Sequence, residues 1–147
     1  MYASTMWVSV TRLRIRSIHF LPVFVVMVWR SAKQAAHAPG FLGGALLLDR
    51  GFTFWTLTTW KDEQSMRQYR SLSPHAAAMP QLVNWCNEAA YAHWTSETES
   101  LPDWREAYQQ LLSSGHRSKV NHPTANHMAS RFPNPRTILS RTLRPIV

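Results

Sequence analysis

The chain has 147 residues, 45% of them hydrophobic and 16% charged, which suits one folded domain and excludes a disordered chain. Its net charge of +8 is uneven: residues 1–115 carry ten Lys/Arg against all eight acids (+2), while residues 116–147 carry six Arg/Lys and no acid (+6). That basic segment has one aromatic residue, Phe132, and nothing resembling a basic face on a folded element, so no specific nucleic-acid partner is expected. The lone Cys86 rules out an internal disulfide, and its apolar neighbours in LVNWCNEAA mark it as a small buried hydrophobe.

Residues 6–17, MWVSVTRLRIRS, alternate Val8 and Val10 with polar partners and then shift phase to Leu13 and Ile15, which predicts a strand with a bulge near Arg12. Apolar residues at helical spacing from 18 to 37 predict a helix, closed by Pro39-Gly40. Its apolar run, IHFLPVFVVMVW, lies too far along the chain for a secretory signal. It is also shorter than the roughly 20 residues of a membrane span, and Pro22 interrupts it. A core helix and a cytoplasmic protein without a membrane span are expected.

FLGGALLLDRGFTFWTLTTW predicts two strands joined at Asp49-Arg50-Gly51. In the second strand Phe52, Phe54, Thr56, Thr58 and Trp60 share one face, and Thr53, Trp55, Leu57 and Thr59 the other. A helix capped by Asp62 follows, with Met66 and Tyr69 on one side. A second helical piece runs from Ser73, with Pro74 at its first position, to about Trp85. Residues 88–97 read as a fourth strand and 101–115 as an amphipathic helix started at Pro102-Asp103 and stopped by Gly115. After 115 there is no sustained period and three prolines lie between 123 and 135, so 116–147 read as a loose or disordered tail.

The order is βαββαβ, the ferredoxin-like α+β arrangement, followed by an extra helix and tail. Its antiparallel sheet carries helices on one face. Because the 52–60 strand is apolar on both faces, the other face is expected to bury itself in a homodimer.

His75 is the leading site candidate. An imidazole in the first turn of a helix beside a helix–sheet cavity can ligate haem iron or exchange protons near neutral pH. His93 reads as a satisfied, half-buried strand residue, and His19 and His37 as helix-end residues. His116, His122 and His127 are spaced by six and five in a Pro-rich segment, which fits no metal-ligand pattern. GFLGG precedes a strand and so cannot be a phosphate loop. Tyr69, Trp55 and Trp60 read as core or cavity aromatics.

The stretch APGFLGGALLLDRGFTFWTLTTWKDEQSMRQYRSLSPHAAAM resembles the antibiotic-biosynthesis-monooxygenase-like families of dimeric α+β barrels, nearest the spheroidene-monooxygenase-like branch. The resemblance covers about residues 6–95. It implies two protomers packed sheet to sheet, each with its own cavity for a small hydrophobic or aromatic molecule. It implies oxygen chemistry, either cofactor-free or at a haem held by His75 with Met79 and Tyr69 nearby. Met79 and Tyr69 fall where the haem-degrading branch has its axial histidine and cavity tryptophan, and Ser9 and Thr11 stand where its first strand has an asparagine. His75 is one helical turn from Met79. The alternative implied by those departures is a non-catalytic ligand-binding or stress-response protein of the same fold.

Overall fold

The computed structural model describes residues 5–72, 75–98, 100–136 and 139–146, with the side chain of His75 left out. Strands β1 (Met6–Ile15), β2 (Phe41–Asp49), β3 (Thr53–Trp60) and β4 (Cys86–Ser96) alternate with helices α1 (Leu21–His37), α2 (Glu63–Arg70) and α3 (His75–Trp85). Beyond them come α4 (Trp104–Ser114), β5 (His116–Arg117), a single turn α5 (Ala125–Met128) and β6 (Leu139–Leu143). All pairings are antiparallel, and the sheet order is β5-β4-β1-β3-β2-β6. The inner four strands thus have the 4-1-3-2 order of the ferredoxin-like fold.

Local chemistry sets the boundaries. Asp62 caps α2 by accepting the Ser65 N–H at 2.8 Å, and Asp103 caps α4 by accepting the Glu106 N–H at 2.8 Å. The β2–β3 turn uses left-handed backbone at Gly51 and Phe52. Asp49 holds that turn, accepting from Arg50 N, Trp55 Nε1 and Arg136 N. Ser73 and Pro74, the expected cap of α3, lie outside the described residues.

The two sheet faces do different work. Met6, Val8, Val10, Leu47, Trp55, Leu57, Ala90 and Ala92 point to one side and pack with Ala107 and Leu111 of α4 and with Phe132. This is the face expected to be bare. The chain covers it with its own α4 and C-terminal segment: Trp104 and Tyr108 meet Trp55 edge-on, and the Tyr108 hydroxyl donates to Phe132 O at 2.8 Å. Burying these residues against a second copy would require that cover to move away.

Three further expectations are corrected. Strand β1 does not change phase at Arg12; its register against β4 shifts only between Arg14 and Ile15. Arg12 keeps the inward phase of Val8 and Val10, and it is 2% exposed because Glu88 neutralises it at 2.6 Å. A charge at an inward position was what made the pattern look broken. Nor are the described residues of 116–147 a loose tail. β5 extends the β4 edge and β6 the β2 edge, while Val120, His127 and Phe132 are buried. Without the sheet this segment has no periodic pattern of its own, so its order is purely tertiary. Finally, α1 is not wholly a core helix. Phe24 and Ala35 face inward, but Val25, Val26 and Trp29 stay exposed, Trp29 to 61%. No helix among the described residues is long and apolar enough to cross a membrane.

Two substitutions test this packing. Phe132→Ala should lower the unfolding free energy by about 3 kcal/mol in urea titrations, whereas a loose tail would leave the midpoint unchanged. Glu88→Gln should cost about 3 kcal/mol, since it leaves the buried Arg12 guanidinium without its counter-charge.

A candidate functional site between sheet and helices

The opposite sheet face forms the floor of a cavity of about 430 Å³. Strand register arranges this floor in rows. Ala89, Leu13 and Phe54 are aligned across three strands; next come Tyr91, Thr11, Thr56 and Leu46, then His93, Ser9 and Thr58. The floor is therefore apolar at one end and rich in hydroxyl and imidazole groups at the other. Walls come from Phe24, Val28 and Ser31 of α1, Met66, Tyr69 and Arg70 of α2, Ala78, Met79 and Leu82 of α3, and Lys119. Thr is well suited to this floor, because β-branching favours a strand while the hydroxyl faces the cavity. Among the described residues no hydrogen bond to protein is made by the side chains of Ser9, Thr11, Thr56, Thr58, Tyr91 or His93, so these polar groups are turned to whatever the cavity holds.

His93 is the titratable group of this end. Its ring lies 5.7 Å from that of Trp7 and 5.3 Å from that of Tyr91. Burial holds its pKa below the usual 6.5, and the positive charge of Arg70 adds to the depression. Near neutral pH the imidazole is thus the uncharged form, ready to accept a proton. A smaller, polar pocket adjoins here, lined by Glu63, Arg67 and His116 and sharing Met66, Arg70, Tyr91 and His93 with the cavity.

The structure brings Tyr69 and Met79 to the cavity wall, as expected. His75 opens α3, but its side chain lies outside the described residues. The Tyr69 hydroxyl donates to Ser31 O at 3.0 Å, and burial raises its pKa, which keeps it a phenol. Met79 sits at the rim, 42% exposed. Tyr69 instead packs on Trp60, ring centroids 5.1 Å apart, and joins α2 to α1. Cys86 is buried with its thiol pushed up to about 12, an inert core group as expected. No cluster of metal-binding side chains occurs among the described residues.

His93 was the misjudged residue: it is half-buried, but it has no hydrogen-bond partner in the protein among the described residues. The signal was present in the alternation of Ala90 and Ala92 with Tyr91 and His93. Small residues pack under α4, and the polar rings face the same way as Ser9 and Thr11.

The fold has relatives among solved structures. A Nitrosomonas europaea protein named as a candidate antibiotic biosynthesis monooxygenase superposes with a TM-score of 0.57, at 11% identity, over 65% of this chain and 93% of that one. A mutant form of SnoaB, a cofactor-independent oxygenase from Streptomyces nogalater, gives 0.52 at 21% identity, over 67% and 98%. A conserved protein from Methanosarcina mazei Go1 gives 0.56 at 14% identity, over 63% and 93%. This chain has the fold of the antibiotic-biosynthesis-monooxygenase-like proteins. At such identities the likeness concerns the fold and not the chemistry. No protein-family model matches the sequence, and no curated protein does.

The histidines set an acid limit on stability. His93 and His127 both have pKa values lowered by burial, so below about pH 6.5 the unfolded chain takes up protons that the folded chain resists. Stability should be flat above that pH and fall as the pH drops through it towards the folded values. Urea midpoints measured on either side of pH 6.5 test this, and His93→Gln should flatten part of the slope.

Proposed function

We propose that the cavity is the active site of a small oxygenase acting on an apolar, aromatic molecule without a bound cofactor, with His93 as proton acceptor. The observation that carries this reading is a neutral imidazole facing a largely apolar cavity, without a protein hydrogen-bond partner among the described residues. Dioxygen reacts poorly with closed-shell molecules. With no cofactor, the substrate itself must supply electrons, and a deprotonated aromatic is a far better donor than its conjugate acid. In this reading His93 takes a proton from an acidic O–H or benzylic C–H. The resulting anion passes one electron to O₂, and the radical pair closes to a peroxide. Loss of water leaves a carbonyl where a CH₂ stood, so that CH₂ + O₂ gives C=O + H₂O. A general base of this kind contributes about 10²–10⁴-fold. SnoaB, of the same fold, is named a cofactor-independent oxygenase, which makes the reading consistent with one fold relative.

One observation favours ligand binding without turnover: His93 has no hydrogen-bond partner among the described residues to fix its tautomer. The homodimer implied by the resemblance belongs to the proposal only in a form that leaves α4 and Phe132 on Trp55 and Leu57, since these already fill the face.

Oxygen uptake with anthrone, an aromatic bearing an acidic benzylic CH₂, decides between turnover and binding. Wild type should consume O₂, and His93→Gln should lose about 10²-fold in kcat/KM. The wild-type profile should rise with pH and level off, its half-point below 6.5 because only the neutral ring accepts a proton. Anthrone bound without uptake would favour the non-catalytic reading. In a parallel haemin titration no band should depend on His75. A Soret band that collapses in His75→Ala would replace the cofactor-free reading with a haem one.

A further inference from the structure

We infer that the outer face of α1 docks on the surface of an anionic lipid membrane, as a peripheral contact and not as a span. Residues 21–29, LPVFVVMVW, place no polar side chain on any side of the first turns of α1. A helix that is apolar all round is ordinarily buried. Of these nine residues only Phe24 is fully buried, while Val23, Val25, Val26 and Trp29 are 42 to 61% exposed. Pro22 is exposed beside them, and so is Ile18 just before the helix. Among the described residues no other helix or strand bears more than one exposed large hydrophobe. Single exposed apolar residues need no explanation, whereas a contiguous group marks a contact surface.

Charge decides what covers this face. The next turn presents Arg30 and Lys33 to solvent, and neither forms an ion pair among the described residues. Lys33 Nζ lies 5.6 Å from the centre of the Trp29 ring, so the cations adjoin the apolar group. Arg16, exposed near the other end, donates only to the neutral Asn84. No acid occurs in residues 1–48 or 64–87, which include α1 and the α3 helix packed beside it. A second copy docked by the same face would set cations near cations, because an isologous contact repeats one patch on both sides. Six partly exposed side chains also fall short of the roughly 800 Å² per partner of a standard protein interface. An anionic lipid surface answers both features: the headgroup–acyl boundary takes the valines and Trp29, and the phosphates take the cations. Trp and Lys suit that boundary, the ring lying at headgroup level and the Lys stem reaching past it to water. On its inner side α1 lines the cavity with Phe24 and Val28, so the cavity lies about one helix diameter, roughly 10 Å, beneath the docked face. The docking itself does not depend on what the cavity binds.

Vesicle co-sedimentation tests this with the full chain, using phosphatidylcholine alone or in a three-to-one mixture with phosphatidylglycerol. Wild type is compared with Trp29→Ser, Val26→Ser and the pair Arg30→Gln with Lys33→Gln, each checked for wild-type circular dichroism. Leu112→Ser, on α4, and the pair Arg141→Gln with Arg144→Gln, in the basic C-terminal segment, are the controls. Wild type should bind the mixed vesicles and bind phosphatidylcholine far more weakly. Trp29→Ser should weaken binding about tenfold and Val26→Ser about threefold, through lost apolar contact. The Arg30 and Lys33 pair should weaken it about thirtyfold on the mixed vesicles, and the controls should change it little. No binding of wild type to the mixed vesicles overturns the inference. So does binding that survives Trp29→Ser and Val26→Ser, or that depends on Arg141 and Arg144 in place of Arg30 and Lys33. Light scattering without vesicles tests the competing occupant. Equal mass for wild type and Trp29→Ser supports the lipid contact, whereas a dimer that Trp29→Ser turns into a monomer gives the face to a second copy and overturns it.

Discussion

Arg12 is an arginine at an inward position of the central strand, and its charge has to be answered there. Glu88 on the neighbouring strand does so at 2.6 Å, and Thr124 donates to the other carboxylate oxygen at 2.6 Å. The guanidinium lies 4.8 Å from the Phe132 ring centroid and 5.8 Å from that of Trp55. A charge pair in that place tolerates neither water nor half-formed surroundings, because a buried ion with a missing partner costs several kcal/mol. Its shell is built from β1, β3, β4 and the segment 120–136 together, so residues beyond α4 are structural. The pair binds the segment carrying Thr124 and Phe132 to the ferredoxin-like core.

Closing that face fixes what the other face can do. Since α4 and Phe132 take the large hydrophobes, the remaining sheet surface is free to carry Ser9, Thr11, Thr56 and Thr58, which would be poor choices for a packed core. The helices cannot settle fully onto such a floor. Tyr69 holds α2 to α1 through Ser31 O, and Gln34 Nε2 donates to Tyr69 O at 3.0 Å, so the roof is braced within itself and meets the sheet at its two ends, where Phe24 packs on Phe54 and Tyr69 on Trp60. The cavity is the space left between a polar floor and a self-braced roof.

Much of this was legible in the sequence because it is encoded locally. The alternation of the 53–60 strand, the caps Asp62 and Asp103 and the βαββαβ order are short-range patterns, and each is present in the structure. What was not legible depends on partners far along the chain. Arg12 looked like a bulge because its neutraliser is 76 residues away, and the C-terminal segment looked loose because its register is supplied by β2 and β4. The site divides the same way: Tyr69 and Met79 reach the cavity by helical spacing, whereas His93 matters only because Ser9 and Tyr91 lie beside it in the sheet.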